Sequence, residues 1–152
     1  MPMLRRTVGK WIGVLGTLLL LSSTALGQHR FDHIPYRKTP MEGEKKGNRT
    51  IKGSVVFDKG KKTIEFLSDK GDSVLVVPMD QIKDLILDYK TPVNPLQVVP
   101  DQYLLTIRYK DNEGTEESID ITLNTNNCRE FLKITAAETG KEIFHKCACC
   151  VL

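Results

Sequence analysis

The chain has 152 residues, of which 40% are hydrophobic and 27% charged, and its formal net charge is +3. Three of its 22 basic residues, Arg5, Arg6 and Lys10, and none of its 19 acidic residues lie in residues 1–27, so the remainder carries 19 charges of each sign. A neutral chain lacks the basic footprint of a nucleic-acid-binding protein. Residues 28–152 are long enough to bury a core without metal or disulfide support.

Residues 1–27 have the order of a secretory signal peptide. The basic residues precede an apolar, leucine-rich run over residues 11–21, and Ala25, Leu26 and Gly27 end in a small-x-small peptidase motif. We therefore predict cleavage between Gly27 and Gln28 and an exported protein, periplasmic or secreted. The alternative is an uncleaved anchor. However, the apolar run is about half of the roughly 20 residues that cross a bilayer, so we predict no transmembrane span in the mature chain.

Residues 28–50 are predicted to form an extended basic arm. They contain Pro35, Pro40 and few large apolar residues, a composition typical of chain without regular structure. The basic cluster over residues 36–52 is interpreted as a solvated linker, with a polyanion-binding patch as the alternative. His29 and His33 are four residues apart, but the proline close behind them disfavours the helix that would bring both to one metal ion.

From residue 51 onward, runs rich in β-branched and aromatic residues alternate with turn signals, which predicts antiparallel strands. These runs cover residues 53–57, 63–67, 73–77, 82–89, 103–109 and 117–123. Short glycine-containing connections at 58–61, 69–72 and 111–114 indicate hairpins. Residues 78–81 are predicted to form one helical turn, and residues 91–101, with three prolines, to form a loop.

After Leu123 the apolar residues change from the alternating spacing of a strand to the spacing of a helix, which predicts a C-terminal helix. Asn126 or Asn127 suits the N-cap because a short polar side chain accepts an unpaired backbone N–H, and Gly140 suits a left-handed C-cap. Six residues at helical spacing form one side of this helix: Cys128, Phe131, Leu132, Thr135, Ala136 and Thr139. The predicted fold class is therefore mainly β (α+β), with six or seven antiparallel strands in a barrel or sheet closed by one amphipathic helix.

We expect the strands and the helix to share one interior. Eleven residues are predicted to form this core: Val55, Phe57, Ile64, Phe66, Val76, Leu85, Leu104, Ile107, Ile121, Phe131 and Leu132.

The order of these elements resembles the pleckstrin-homology-like fold in its small bacterial form, over residues 51–143. The resemblance lies in the strand meander, the break at residues 78–82, the later hairpin and the single C-terminal helix. It implies a barrel that binds a protein or a ligand without catalysis. Lipid-head-group binders of this superfold use basic residues in the first hairpin loop, so the resemblance implies a ligand site at Lys59, Lys61 and Lys62, although this loop matches none of their motifs.

The sequence offers no catalytic constellation, and we predict that the protein is not an enzyme. None of the histidines of the exported chain lies in a predicted strand core where a serine or cysteine could meet it. Gly60 and Gly71 are isolated hairpin residues rather than parts of a phosphate-binding loop. Asp80, Asp84 and Asp88 recur every four residues, but they run through a predicted strand or turn and are interpreted as surface carboxylates.

The C-terminal tail, residues 144–152, contains three cysteines within four positions. Cys147, Cys149 and Cys150 together with His145 offer thiolate and imidazole ligands that suit zinc or copper. Alternatively, cysteines in an oxidising compartment form disulfides, and Cys128 on the helix can be reached by Cys147 or a neighbour. The last four residues also have the form of a prenylation box, but prenylation is cytosolic and contradicts the signal peptide.

Two functions remain open. In the first, an exported, non-catalytic binding or scaffold module without a cofactor recognises a protein or a small amphiphilic ligand by a groove or a sheet edge. In the second, the domain carries a metal ion or exchanges thiols through its His/Cys-rich tail. The sequence specifies neither the ligand nor the oligomeric state.

Overall fold

The computed structural model describes residues 27–39, 49–90 and 102–146. These residues form one eight-stranded sheet and one helix, which confirms the mainly β class. In chain order the elements are β1 (Gln28–Thr39), β2 (Ile51–Asp58), β3 (Thr63–Ser68), β4 (Ser73–Pro78), a 3₁₀ turn (Met79–Gln81), β5 (Ile82–Lys90), β6 (Gln102–Lys110), β7 (Glu116–Asn124), α1 (Thr125–Thr139) and β8 (Ile143–His145). Among the described residues, no helix is long and apolar enough to span a membrane.

The sheet is open, with the strand order β4-β3-β2-β1-β7-β6-β5-β8. Neighbouring strands are antiparallel except β5 and β8, which run parallel. Within the described ranges, β4 and β8 each pair with one strand and not with each other, so the predicted closure into a barrel of six or seven strands is wrong. For the sheet to close, the outer edge of β5 would have to pair with the strand at the other end of the order. β8 occupies that edge of β5 instead.

Residues 28–39 form a central strand rather than a solvated arm. β1 pairs with β2 from Gln28 to Tyr36 and with β7 from Tyr36 onward, and the side chains of Ile34 and Tyr36 are buried. Pro35 lies just before the pairing with β7 begins, and a strand that lacks a partner on one side tolerates proline. A bulge between Phe31 and Ile34, where His33 has a φ of 58°, interrupts the register with β2.

The helix α1 has a cap at each end. The Asn124 side chain accepts the backbone N–H groups of Asn126 and Asn127 at 3.0 and 3.1 Å, and the Asn127 side chain accepts the N–H of Asn124 at 2.9 Å. The predicted N-cap at Asn126 or Asn127 was therefore wrong by two or three residues, because Asn127 serves as the reciprocal partner in a capping box. Gly140 is left-handed with a φ of 65°, and its N–H donates to Ala136 O, which confirms the predicted C-cap.

One core lies between α1 and the sheet. The ring of Phe131 lies 4.8 Å from that of Phe31 on β1 and 5.4 Å from that of Phe57 on β2. The helix also contacts β6, β7 and the 3₁₀ turn. Its buried residues are Cys128, Phe131, Leu132 and Thr135. A single helix therefore touches strands from both halves of the sheet, which curls around it.

Nine of the eleven predicted core residues are buried, and two are not. Val76 on β4 is 48% exposed, and Leu104 on β6 is only half-buried. Val77 and Leu105, their neighbours in sequence, are fully buried instead. Both errors are shifts of one residue, and such a shift moves a side chain to the other face of the sheet.

Candidate functional site

The β2–β3 turn carries the three lysines for which a ligand site was predicted. Lys59, Lys61 and Lys62 are all exposed. Asp58 organises the turn, since it accepts the backbone N–H of Lys61 at 2.9 Å and the side-chain amide of Gln28 at 2.8 Å. These hydrogen bonds, that of Lys61 first, hold the pKa of Asp58 below its usual value. The structure thus gathers the lysines on one turn, and the ligand site there stays a prediction.

The tail residues proposed as metal ligands are described only in part. His145 is exposed on β8, Cys128 is buried at the start of α1, and Cys147, Cys149 and Cys150 lie outside the described residues. Among the residues that the structure describes, no group of three or more His, Cys, Asp or Glu side chains could hold a metal ion. Zinc or copper binding by the tail therefore stays a prediction.

β8 and Lys146 bring the described chain to the end of the sheet where α1 begins. The Lys146 N–H donates to Leu87 O at 2.9 Å, near the C-terminal end of β5. That end of β5 pairs with the start of β6, which pairs with Asn124 at the end of β7. Cys128 lies one helical turn further along the chain. A disulfide between Cys128 and a tail cysteine is therefore consistent with the topology and stays a prediction.

The bulge of β1 holds a polar cluster that sequence analysis missed. Asp32 accepts hydrogen bonds from Ser54 Oγ at 2.5 Å and from Arg30 Nε at 2.7 Å. The bond from Ser54, followed by that from Arg30, lowers the pKa of Asp32. A carboxylate stabilised in this way is a weak base at neutral pH. Close to this cluster along β1, Nε2 of His29 lies 4.0 Å from Oε1 of Glu138 on α1.

A pocket of about 180 Å³ lies where β5 begins and β6 ends. Seven residues line it: Thr39, Lys83, Arg108, Tyr109, Glu116, Glu117 and Ser118. Two of these side chains are cationic and two are anionic, so the pocket presents no excess of either charge to a ligand. It was missed from the sequence because its residues come from four different strands.

The two carboxylates of this pocket already have cationic partners. Glu117 lies 2.7 Å from Lys38 Nζ and accepts the Tyr109 hydroxyl at 2.8 Å, and Glu116 pairs with Lys83. Lys83 lowers the pKa of Glu116, whereas burial and the bond to Glu117 raise the pKa of Tyr109 well above its usual value. The phenol thus stays protonated, and Glu116 is not poised to take a proton at neutral pH.

The described residues with large exposed hydrophobic side chains all lie on the two edge strands of the sheet. Val74 and Val76 on β4 are 47% and 48% exposed, and Phe144 on β8 is 60% exposed. Exposed apolar side chains on an unpaired strand edge are typical of a surface that pairs with another chain. The two edges are therefore the candidate functional surfaces with the strongest physical basis.

Comparison with protein-family models found no match for the chain, and comparison with the curated proteins found none either.

Proposed function

We propose that this protein is an exported, non-catalytic binding or scaffold module, which recognises a protein partner through the β8 edge of its sheet. One observation carries the proposal. Phe144 is the most exposed of the large hydrophobic residues in the described chain, and it lies on an edge strand whose outer side has no described partner.

The surroundings of Phe144 suit an extended peptide. Ile86 on β5 lies opposite Phe144 in the register, and its side chain is itself partly exposed. A partner strand laid along β8 would form backbone hydrogen bonds with it and place an apolar side chain on Phe144. Because β8 has only three residues, the interface is small and the complex short-lived.

The resemblance to the pleckstrin-homology-like fold supports a binding role. The resemblance rests on the order of a meander, a short turn, a later hairpin and a C-terminal helix, which is the order of β2–β4, the 3₁₀ turn, β6 and β7, and α1 in this open sheet. Export rests on the order of residues 1–27, and cleavage before Gln28 would leave β1 whole, since Gln28 is its first residue.

A photo-crosslinking amino acid at position 144 tests this function in the native host. We expect benzoylphenylalanine at Phe144 to yield one discrete adduct with another protein of the exported fraction, because the side chain lies in the proposed interface. The matched control is the same amino acid at Lys133, an exposed position of α1. No adduct from position 144, or the same set of adducts from both positions, would rule out recognition through β8.

A further inference from the structure

We propose that two copies of this chain associate through β4, edge to edge and antiparallel, to form a two-fold symmetric dimer. The contact lies at the opposite end of the strand order from β8. It therefore goes beyond the proposed function, and either can fail without the other.

The middle of β4 lacks the features that usually protect a sheet edge. Edge strands are commonly guarded by charged side chains, prolines or bulges. The six residues of β4, Ser73–Pro78, contain no charge. Their one proline is the last residue, and the one register shift against β3 lies at Val74, which is skipped between the pairs Leu75–Phe66 and Ser73–Leu67. Between this bulge and the proline, Val76 presents a β-branched side chain that is about half exposed, and Val74 at the bulge is exposed to the same extent.

The backbone groups of β4 that have no partner among the described residues lie in the same place as the exposed side chain of Val76. The Met79 N–H donates to Lys62 O at 2.9 Å, directly beyond the pairing of Pro78 with Thr63. Residues of an antiparallel strand alternate between bonding to their partner and pointing away from it. Val77 and Leu75 therefore bond to β3, whereas the N–H and C=O of Val76 point to the open side. A second strand could exchange hydrogen bonds with Val76 without any rearrangement.

Charge complementarity selects a second copy of this chain as the occupant. The turn before β4 contains Asp69, Lys70 and Asp72 and is acidic on balance. The other end of β4 lies beside the β2–β3 turn, where Lys62 is the residue bonded to Met79. The exposed Lys59, Lys61 and Lys62 of that turn outnumber Asp80, the one acidic residue of the 3₁₀ turn that follows β4, so this end is basic on balance. When two copies of β4 run antiparallel, the acidic turn of each copy faces the lysine turn of the other. The same attraction thus occurs twice, and the Val76 side chains of the two copies lie near the two-fold axis between the two sites.

The two-fold symmetry of such a contact limits the assembly to two copies. A two-fold axis through the middle of β4 uses the same surface on both copies and leaves no free β4 edge for a third chain. The area joined by one six-residue strand is small, so we expect a dimer that forms with rising concentration rather than a permanent one.

Sedimentation velocity of the exported protein under reducing conditions tests the proposal. The reductant excludes dimers linked through the tail cysteines. We expect the mean mass to rise towards that of a dimer between about 10 μM and about 1 mM protein. Val76→Lys should stay monomeric over that range because it places two cations in the contact. Ala137→Lys, which adds the same charge at an exposed position of α1, is the matched control and should associate like the wild type.

A charge swap tests the orientation of the two strands. Lys62→Glu and Asp72→Lys should each weaken association by about tenfold, and the double variant should restore it. Thermal melts of all variants check that they are folded. A wild type that is monomeric at about 1 mM, or a folded Val76→Lys variant that associates like the wild type, would overturn the proposal. Restoration failing in the double variant would overturn the antiparallel arrangement.

Discussion

Replacing Phe131 by alanine is expected to lower the free energy of unfolding by about 3–5 kcal/mol. The side chain is fully buried, and its ring packs against those of Phe31 and Phe57. Because it joins α1 to β1 and β2, its loss would leave a cavity at the point where the helix holds the curled sheet. Urea denaturation followed by circular dichroism measures the change.

The matched control for Phe131→Ala is Lys133→Ala, two residues further along α1. The Lys133 side chain is exposed, so this variant should stay within about 0.5 kcal/mol of the wild type. A loss below about 1 kcal/mol for Phe131→Ala would mean that the helix does not close the core.

The second large effect is expected at Gly53, where β2 passes very close to β3. A Cβ atom at this position would lie 1.8 Å from the carbonyl oxygen of Leu67, a backbone atom that cannot rotate away. The same oxygen accepts the buried Tyr36 hydroxyl at 3.0 Å, so moving it would also disturb that hydrogen bond. We expect Gly53→Ala to cost about 3 kcal/mol or more, since overpacking forces the backbone to shift.

Gly60→Ala provides the control for Gly53→Ala in the same denaturation experiment. A Cβ atom at Gly60 would meet nothing closer than Asp58 Oδ1, at 3.4 Å. This variant should therefore change the free energy of unfolding by less than about 0.5 kcal/mol. Equal stability of the two alanine variants would show that β2 and β3 do not approach each other as described.

Local sequence patterns predicted the parts of the fold that depend on local chemistry. The glycine-containing turns after β2, β3 and β6 produce hairpins because tight turns need few residues and a permissive backbone. Gly140 ends α1 for a similar reason, since it adopts a left-handed conformation that most residues avoid. The turn at Met79–Gln81 follows Pro78, which cannot donate a hydrogen bond to a continuing strand.

The strands that sequence analysis missed depend on contacts between distant residues. The charges and Pro35 of β1 suggested an arm, but burial of Ile34 and Tyr36 between β2 and β7 stabilises it as a strand. β8 is too short to show a period of its own, and β6, β7 and α1 all lie between it and β5, the strand with which it pairs in parallel. Neither the pairing of β1 with β2 and β7 nor the pairing of β8 with β5 can be recognised from the local sequence.

The sequence predicted the kind of recognition surface, a sheet edge, but not which strands form the edges. A sheet edge was among the expected recognition surfaces, yet β4 was expected to bury Val76. The run from Val74 to Val77 is apolar at every position, so it lacks the alternation that distinguishes the two faces of a strand. Which strands become edges follows from the strand order, which no local pattern contains.

Amide hydrogen exchange of Val76 and Val77 in dilute, reduced protein tests most directly whether the sheet is open at β4. We expect the Val77 amide to exchange slowly, because it bonds to β3, and the Val76 amide to exchange nearly as fast as in an unfolded chain. Equal, strong protection of both amides in the dilute protein would contradict an open edge at β4, because it would mean that another part of the chain covers this strand.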